Sequence, residues 1–143
     1  MDEHTITLVQ DSFAKVLPIK EAAAEIFYAD LFETAPQVKP YFDGADMADQ
    51  GGKLMATLGV VVNGLRDLDK IVPVAGALAV RHVDYGVQPQ DYDAVGASLL
   101  RTLEKGLGAD FTQEMRDAWT AAYSTLAGAM IATAYPLERG DTV

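Results

Sequence analysis

PVAGALAVRHVDYG, residues 73–86, sets one of the chain's two histidines among apolar residues at helical spacing. Val74, Leu78, His82 and Tyr85 recur at intervals of four, four and three, so on a helix the imidazole of His82 shares a stripe with large apolar side chains. Pro73 suits the opening of that helix, and Gly86 followed by Pro89 suits its end. A histidine in such a place is commonly a hydrogen-bonded core residue, and it can also be a ligand to something buried. A bare zinc site is disfavoured: there is no cysteine, the other histidine is His4, and neither HxxxH nor CxxC spacing occurs. One axial histidine is enough where a macrocycle supplies the other ligands of the metal.

Helical periodicity continues outward from this stretch in both directions, while strand-like alternation is hard to find. A first helix is predicted over about Asp2 to Leu17 with Ile6, Val9, Phe13 and Val16 inward, broken by Pro18. A second runs to about Glu33 and buries Ala24, Phe27, Tyr28, Leu31 and Phe32. Pro36 opens a short helix through Lys39, and Tyr41-Phe42 leads into a polar loop from Asp43 to Gly52 that contains Gln50. Leu54, Leu58, Val61, Val62 and Leu65 then stripe a helix that fades near Asp69.

Two longer helices follow His82. One covers about Gln90 to Leu107 with Tyr92, Val95, Leu99 and Leu103 inward, stopped by Gly106 and Gly108. The other covers about Thr112 to Tyr135 with Met115, Trp119, Tyr123, Leu126, Met130 and Ala134 inward, Thr112 serving as N-cap and Glu114 lying in the first turn. Residues 136–143 read as a frayed tail. The prediction is an all-α domain of about six long helices and one short one. Periodicity leaves open whether they form a bundle or cross near 50° around a pocket.

At 143 residues the chain suits one domain with a full core, and 50% hydrophobic with 22% charged residues suits an ordinary globule. The formal net charge of −10 argues against nucleic acid or an anionic membrane face as partner. No stretch is long and apolar enough to span a bilayer, since Gly59 to Leu65 runs into Arg66, Asp67 and Asp69. The acidic start Met1-Asp2-Glu3-His4 is unlike a secretory signal, and the lack of cysteine fits a reducing compartment, so a cytoplasmic location is expected.

Ile26-Phe27-Tyr28-Ala29-Asp30-Leu31-Phe32, Pro40-Tyr41-Phe42, Gln50 with Lys53-Leu54, and Arg81-His82-Val83-Asp84-Tyr85-Gly86-Val87 occur in the order seen in bacterial globins. Tyr92-Asp93-Ala94-Val95-Gly96 and Asp117-Ala118-Trp119-Thr120-Ala121-Ala122-Tyr123 extend the match. The chain thus resembles single-domain bacterial haemoglobins of the Vitreoscilla type and the globin domain of flavohaemoglobins, from about Thr5 to Tyr135.

The resemblance implies a globin fold around haem b, in one domain over residues 1–143, with His82 as the iron ligand. It puts Tyr28 and Gln50 over the iron as hydrogen-bond donors to dioxygen or another diatomic gas. Leu54 and Leu58 would form the apolar part of that wall, Phe42 would stack on the porphyrin edge, and Tyr85, Val87 and Val95 would complete the lining. Lys53 and Arg81 are candidates for the haem propionates, although solvated surface cations would look the same.

Below the haem, Tyr92 matches a tyrosine that supports the proximal histidine, whereas the family's glutamate aligns with Ala134 and the next acid is Glu138. A core aromatic whose hydroxyl reaches the surface is an equal reading of Tyr92. The expected function is reversible dioxygen binding, with nitric oxide removal if a separate reductase restores the ferrous state, because the chain ends at Val143 without a flavin domain. Oxygen storage, delivery or sensing without turnover is the alternative, and a haem-free helical domain of the same shape a third.

Overall fold

The protein's structure, a computed structural model, describes residues 2–42, 44, 46–84 and 91–134, and their side chains except at 77–84, 129 and 131–134. Among these residues there are six α-helices and no strand: α1 Glu3–Val16, α2 Lys20–Thr34, α3 Met47–Asn63, α4 Leu68–Asp84, α5 Asp91–Leu107 and α6 Gln113–Ala134. Short 3₁₀ turns at Leu17–Ile19, Pro36–Phe42 and Gly108–Asp110 join some of them. The all-α expectation holds.

Local chemistry sets the helix ends. Asp2 caps α1 by accepting from the Thr5 N–H at 2.8 Å, and Thr112 caps α6 by accepting from the Met115 N–H at 3.2 Å. Gly108 takes φ +57, a left-handed turn that side-chain-bearing residues rarely adopt, immediately after α5. Asp46 accepts from the N–H groups of Ala48 at 2.9 Å and Asp49 at 3.3 Å, and so starts α3 six residues before the predicted loop ends. Gln50 therefore sits on the first turn of a helix, not in a loop.

Three further boundaries differ from the sequence reading. The short helix runs on past Lys39 to Phe42 as a 3₁₀ turn with Pro40 inside it. Helix α3 stops at Asn63, ahead of Gly64, instead of fading near Asp69. The Asp67 N–H then reaches the Gly64 carbonyl at 2.9 Å, which lets α4 begin at Leu68. Pro73 lies inside α4 rather than at its opening, and the helix forgoes one backbone hydrogen bond there, at an exposed position. The face that α4 buries carries Ile71 and Ala75, whereas Val74 is 38% exposed, so the predicted stripe fails at Val74.

Helix α2 packs along α5, α4 along α6, and α1 against both α3 and α6. Ile6, Val9, Phe13, Phe27, Leu31 and Trp119 lie at the centre of the resulting core. Its polar atoms are satisfied: the Trp119 indole N–H donates to Ser12 Oγ at 2.7 Å, and that hydroxyl donates to the Leu8 carbonyl at 2.7 Å.

Two glycines allow the helices to approach closely. A Cβ at Gly51 would lie 2.9 Å from the Ala24 Cβ, and one at Gly96 would lie 2.7 Å from the Tyr123 ring. That ring cannot swing away cheaply, because its hydroxyl donates to the Tyr92 carbonyl at 2.5 Å. Gly96→Ala is accordingly expected to destabilise the protein by about 1–3 kcal/mol through overpacking, despite the better helix propensity of alanine. An unchanged urea midpoint would show that α5 and α6 can part without cost.

Candidate functional site

The close contact of Ala24 with Gly51 brings α2 and α3 together one turn before Tyr28. Gln50 precedes Gly51, and its amide comes close enough to the Tyr28 phenol to act on its ionisation. Two residues separated by 22 positions in the chain are thereby paired inside the fold. Tyr28 is only 8% exposed, and burial pushes its phenol above the ordinary tyrosine value, while the Gln50 amide pulls it part of the way back. The phenol therefore stays protonated, and so remains a donor, across the physiological range.

An aromatic cluster surrounds this pair. The Tyr28 ring lies 5.0 Å from Phe27, 5.9 Å from Phe32 and 5.4 Å from Phe42, and Phe32 and Phe42 are themselves 5.4 Å apart. Most of these contacts are edge-to-face, the arrangement that ring quadrupoles favour. The 3₁₀ turn Pro36–Phe42 delivers Phe42 to the cluster. Leu54, one turn beyond Gln50, and Leu58 are half-buried and line a small apolar cavity of about 20 Å³ together with Phe27, Met55, Leu99 and Trp119. Lys53 is exposed on the same helix and forms no ion pair with any described residue, which leaves its ammonium available to an anionic group.

His82 falls on α4, seven residues after Ala75 and eleven after Ile71. At 100° per residue both intervals return to within about 20° of the same direction, so position 82 shares the helix face on which those two buried residues lie. The side chains of Arg81 and His82, and all of Tyr85 and Val87, lie outside the described residues.

Tyr92, near the start of α5, is 6% exposed and its hydroxyl is buried as well. The reading of it as a core aromatic that reaches the surface is thus corrected. Val95 follows three residues later and is half-buried, while Ala134 ends the described part of α6.

Two polar links were not anticipated from the sequence. Asp91 is a buried carboxylate that accepts from the Tyr41 hydroxyl at 2.9 Å, tying the turn that carries Phe42 to the helix that carries Tyr92. Asp30, two residues from Tyr28, receives Arg101 Nε at 2.9 Å on each carboxylate oxygen, with Arg101 Nη2 and Ser98 Oγ on Oδ1 at 2.7 Å each. Those donors, Arg101 foremost, hold its carboxyl below the usual aspartate value. A single acid within the apolar run 26–32 was the available signal for the second link.

The donor set suits a flat apolar group carrying a small polar ligand. Aromatic edges can meet the plane, an uncharged phenol and amide can donate to the ligand, and position 82, a histidine, lies in register with Ile71 and Ala75 on the helix that packs along α6.

The profile of the family described as Globin matches residues 25–130. A flavohemoprotein of Rhodopirellula baltica is 30% identical over 134 residues, covering 92% of this chain and 33% of its own length. One of Xylella fastidiosa is 32% identical over 123 residues, covering 84% of this chain and 30% of its own. The chain therefore spans about a third of these relatives.

Among solved structures, a bacterial globin of Campylobacter jejuni superposes with a TM-score of 0.84 at 24% identity, over 96% of this chain and 99% of that one. An engineered carbene transferase from Rhodothermus marinus gives 0.85 at 22% identity, over 100% of this chain and 99% of that one. At such identity these two matches speak for the fold alone.

Proposed function

Because this chain belongs to the globin family, we propose that it holds haem b between α3 and α4, with His82 as the protein ligand to iron and Tyr28 and Gln50 on the gas side. The observation that carries this reading is the meeting of the buried Tyr28 with Gln50 and Phe42 where α2 and α3 approach closely. A bound haem supplies a ferrous iron that takes diatomic gases and passes electron density to them.

The chain's own residues then have distinct tasks. Tyr28 and Gln50 donate hydrogen bonds to a ligand that has gained negative charge. Phe42, Leu54 and Leu58 exclude water from one side of the plane, and Val95, Tyr85 and Val87 do so elsewhere. Lys53 and Arg81 meet the propionates. Tyr92 supports the proximal side, where alanine at position 134 leaves His82 without the acid that would make it more anionic.

Such a site binds dioxygen, and it can also convert nitric oxide and dioxygen to nitrate when a separate reductase returns one electron per turnover. Haem-reconstituted protein is expected to show a Soret band, a carbonyl form on reduction, and steady nitric oxide loss only when a flavoprotein reductase is present. Absence of a Soret band would sink the haem reading. A normal spectrum without turnover under any reductant would restrict the role to reversible gas binding. In either case no helix among the described residues is long and apolar enough to cross a membrane.

A further inference from the structure

Helix α2 carries the residue on which the gas-side chemistry depends, yet its apolar residues do not confine it to one orientation. Ala23, Ala24, Phe27 and Leu31 are buried, but Ala22, Ile26, Ala29 and Phe32 spread apolar surface over the rest of its circumference. Burial of apolar area is non-directional, so apolar area alone sets the roll of α2 loosely, and the close Ala24–Gly51 approach restrains it on the α3 side. Tyr28 is sensitive to this roll, because its hydroxyl lies well outside the helix axis and moves further than the backbone does.

On the α5 side a polar contact resists rolling. Asp30 and Tyr28 lie about 160° apart around the helix, at the two edges of its buried arc. On the Asp30 edge the guanidinium of Arg101 reaches both carboxylate oxygens, Ser98 Oγ donates to one of them, and Arg101 Nη2 also reaches Thr34 Oγ1 at 3.3 Å, one turn further along α2. All of these partners belong to α5 or α2. Bidentate geometry is directional, unlike apolar packing, and here it joins a buried carboxylate to a half-exposed guanidinium.

We propose that the Asp30–Arg101 pair is a positioning device that fixes the roll of α2 against α5 and so aims the Tyr28 hydroxyl toward Gln50 and the ligand. Neither residue is among those proposed to meet the haem or the gas. The inference rests on the reading of Tyr28 as a donor to the ligand, and the same helix α5 carries Tyr92, so the pin also relates the two sides of the pocket.

The test is a double-mutant cycle in the haem-loaded protein, reading the oxygen dissociation rate by stopped flow and the carbonyl stretching band by infrared. Asp30→Asn is expected to speed oxygen release several-fold, up to about tenfold, and to move the carbonyl band toward that of Tyr28→Phe. In the Tyr28→Phe background the same substitution should change neither. Arg101→Lys, which keeps the charge at a half-exposed position but loses the fork, gives the same readout if Asp30→Asn does not fold.

A lower urea midpoint is expected from any loss of the pair and does not discriminate. Equal acceleration in both backgrounds, or none in either, would overturn the positioning role while leaving Tyr28 as donor. If Tyr28→Phe alone leaves oxygen release unchanged, the donor reading falls and this inference falls with it.

Discussion

His82→Ala is expected to give a helical protein that no longer retains haem. A bound porphyrin would supply four of the iron's ligands and leave one for the protein, and this sequence has two imidazoles that could make that bond. His4 is not a competitor: it lies on the exposed surface of α1 with its Nε2 3.2 Å from a Glu114 carboxylate oxygen. Without that bond, haem would be held only by apolar contact and the propionate cations and should pass to an acceptor apoprotein during mixing or gel filtration, leaving no Soret absorbance at the protein peak. Far-UV circular dichroism of the apoprotein should match that of the parent apoprotein, which separates loss of a ligand from loss of the fold. Free imidazole, small enough to enter the space left by the side chain, should restore a bound spectrum. A His82→Ala protein with parental spectra and retention would show that another residue holds the iron, and His4→Ala should be silent throughout.

The parts of this architecture that follow from short-range rules were legible in the residues. Ile6, Val9, Phe13 and Val16 are all buried as their spacing predicts, Thr112 caps α6, and the break at Pro18 coincides with a 3₁₀ turn. Errors arose where a rule had a competitor. Pro73 looked like an opening residue because proline favours the first turn, but the capped end of α3 and the turn at Gly64–Asp67 had already started α4 five residues earlier. Gln50 looked like a loop residue because glycine and aspartate surround it, yet Gly51 serves helix approach, not chain reversal. The buried face of α4 was misread at Val74, since a stripe drawn through large residues passed over the small Ala75, which is fully buried.

The candidate site shows the same division. Tyr28, Phe42 and Gln50 could be nominated from the resemblance, but their meeting depends on the Ala24–Gly51 approach, a property of two helices and not of either segment. The Tyr41–Asp91 and Asp30–Arg101 links join residues 50 and 71 positions apart, and no local pattern marks one acid among 21 as the partner of one base. Sequence alone can show that an acid in an apolar run needs a partner. Only the fold says which one it has.

Tyr28→Phe removes a single oxygen from this arrangement and is expected to speed oxygen release about ten- to a hundredfold. The aromatic contacts with Phe27, Phe32 and Phe42 survive the change, so the shape of the pocket is preserved. What is lost is one hydrogen bond to a ligand that carries partial negative charge, worth about 1.5–3 kcal/mol, and each 1.4 kcal/mol is tenfold in rate. Carbon monoxide gains far less charge on binding, so its release should change much less, which distinguishes a lost hydrogen bond from a general loosening of the wall. Because burial keeps the phenol protonated, release from the parent protein should show no titration attributable to Tyr28 at neutral or mildly alkaline pH. Gln50, freed from its partner, can turn to the ligand and hold the effect near the lower end of the range; the Tyr28→Phe, Gln50→Leu double variant should then reach the upper end. Equal acceleration of oxygen and carbon monoxide release would assign Tyr28 a packing role only.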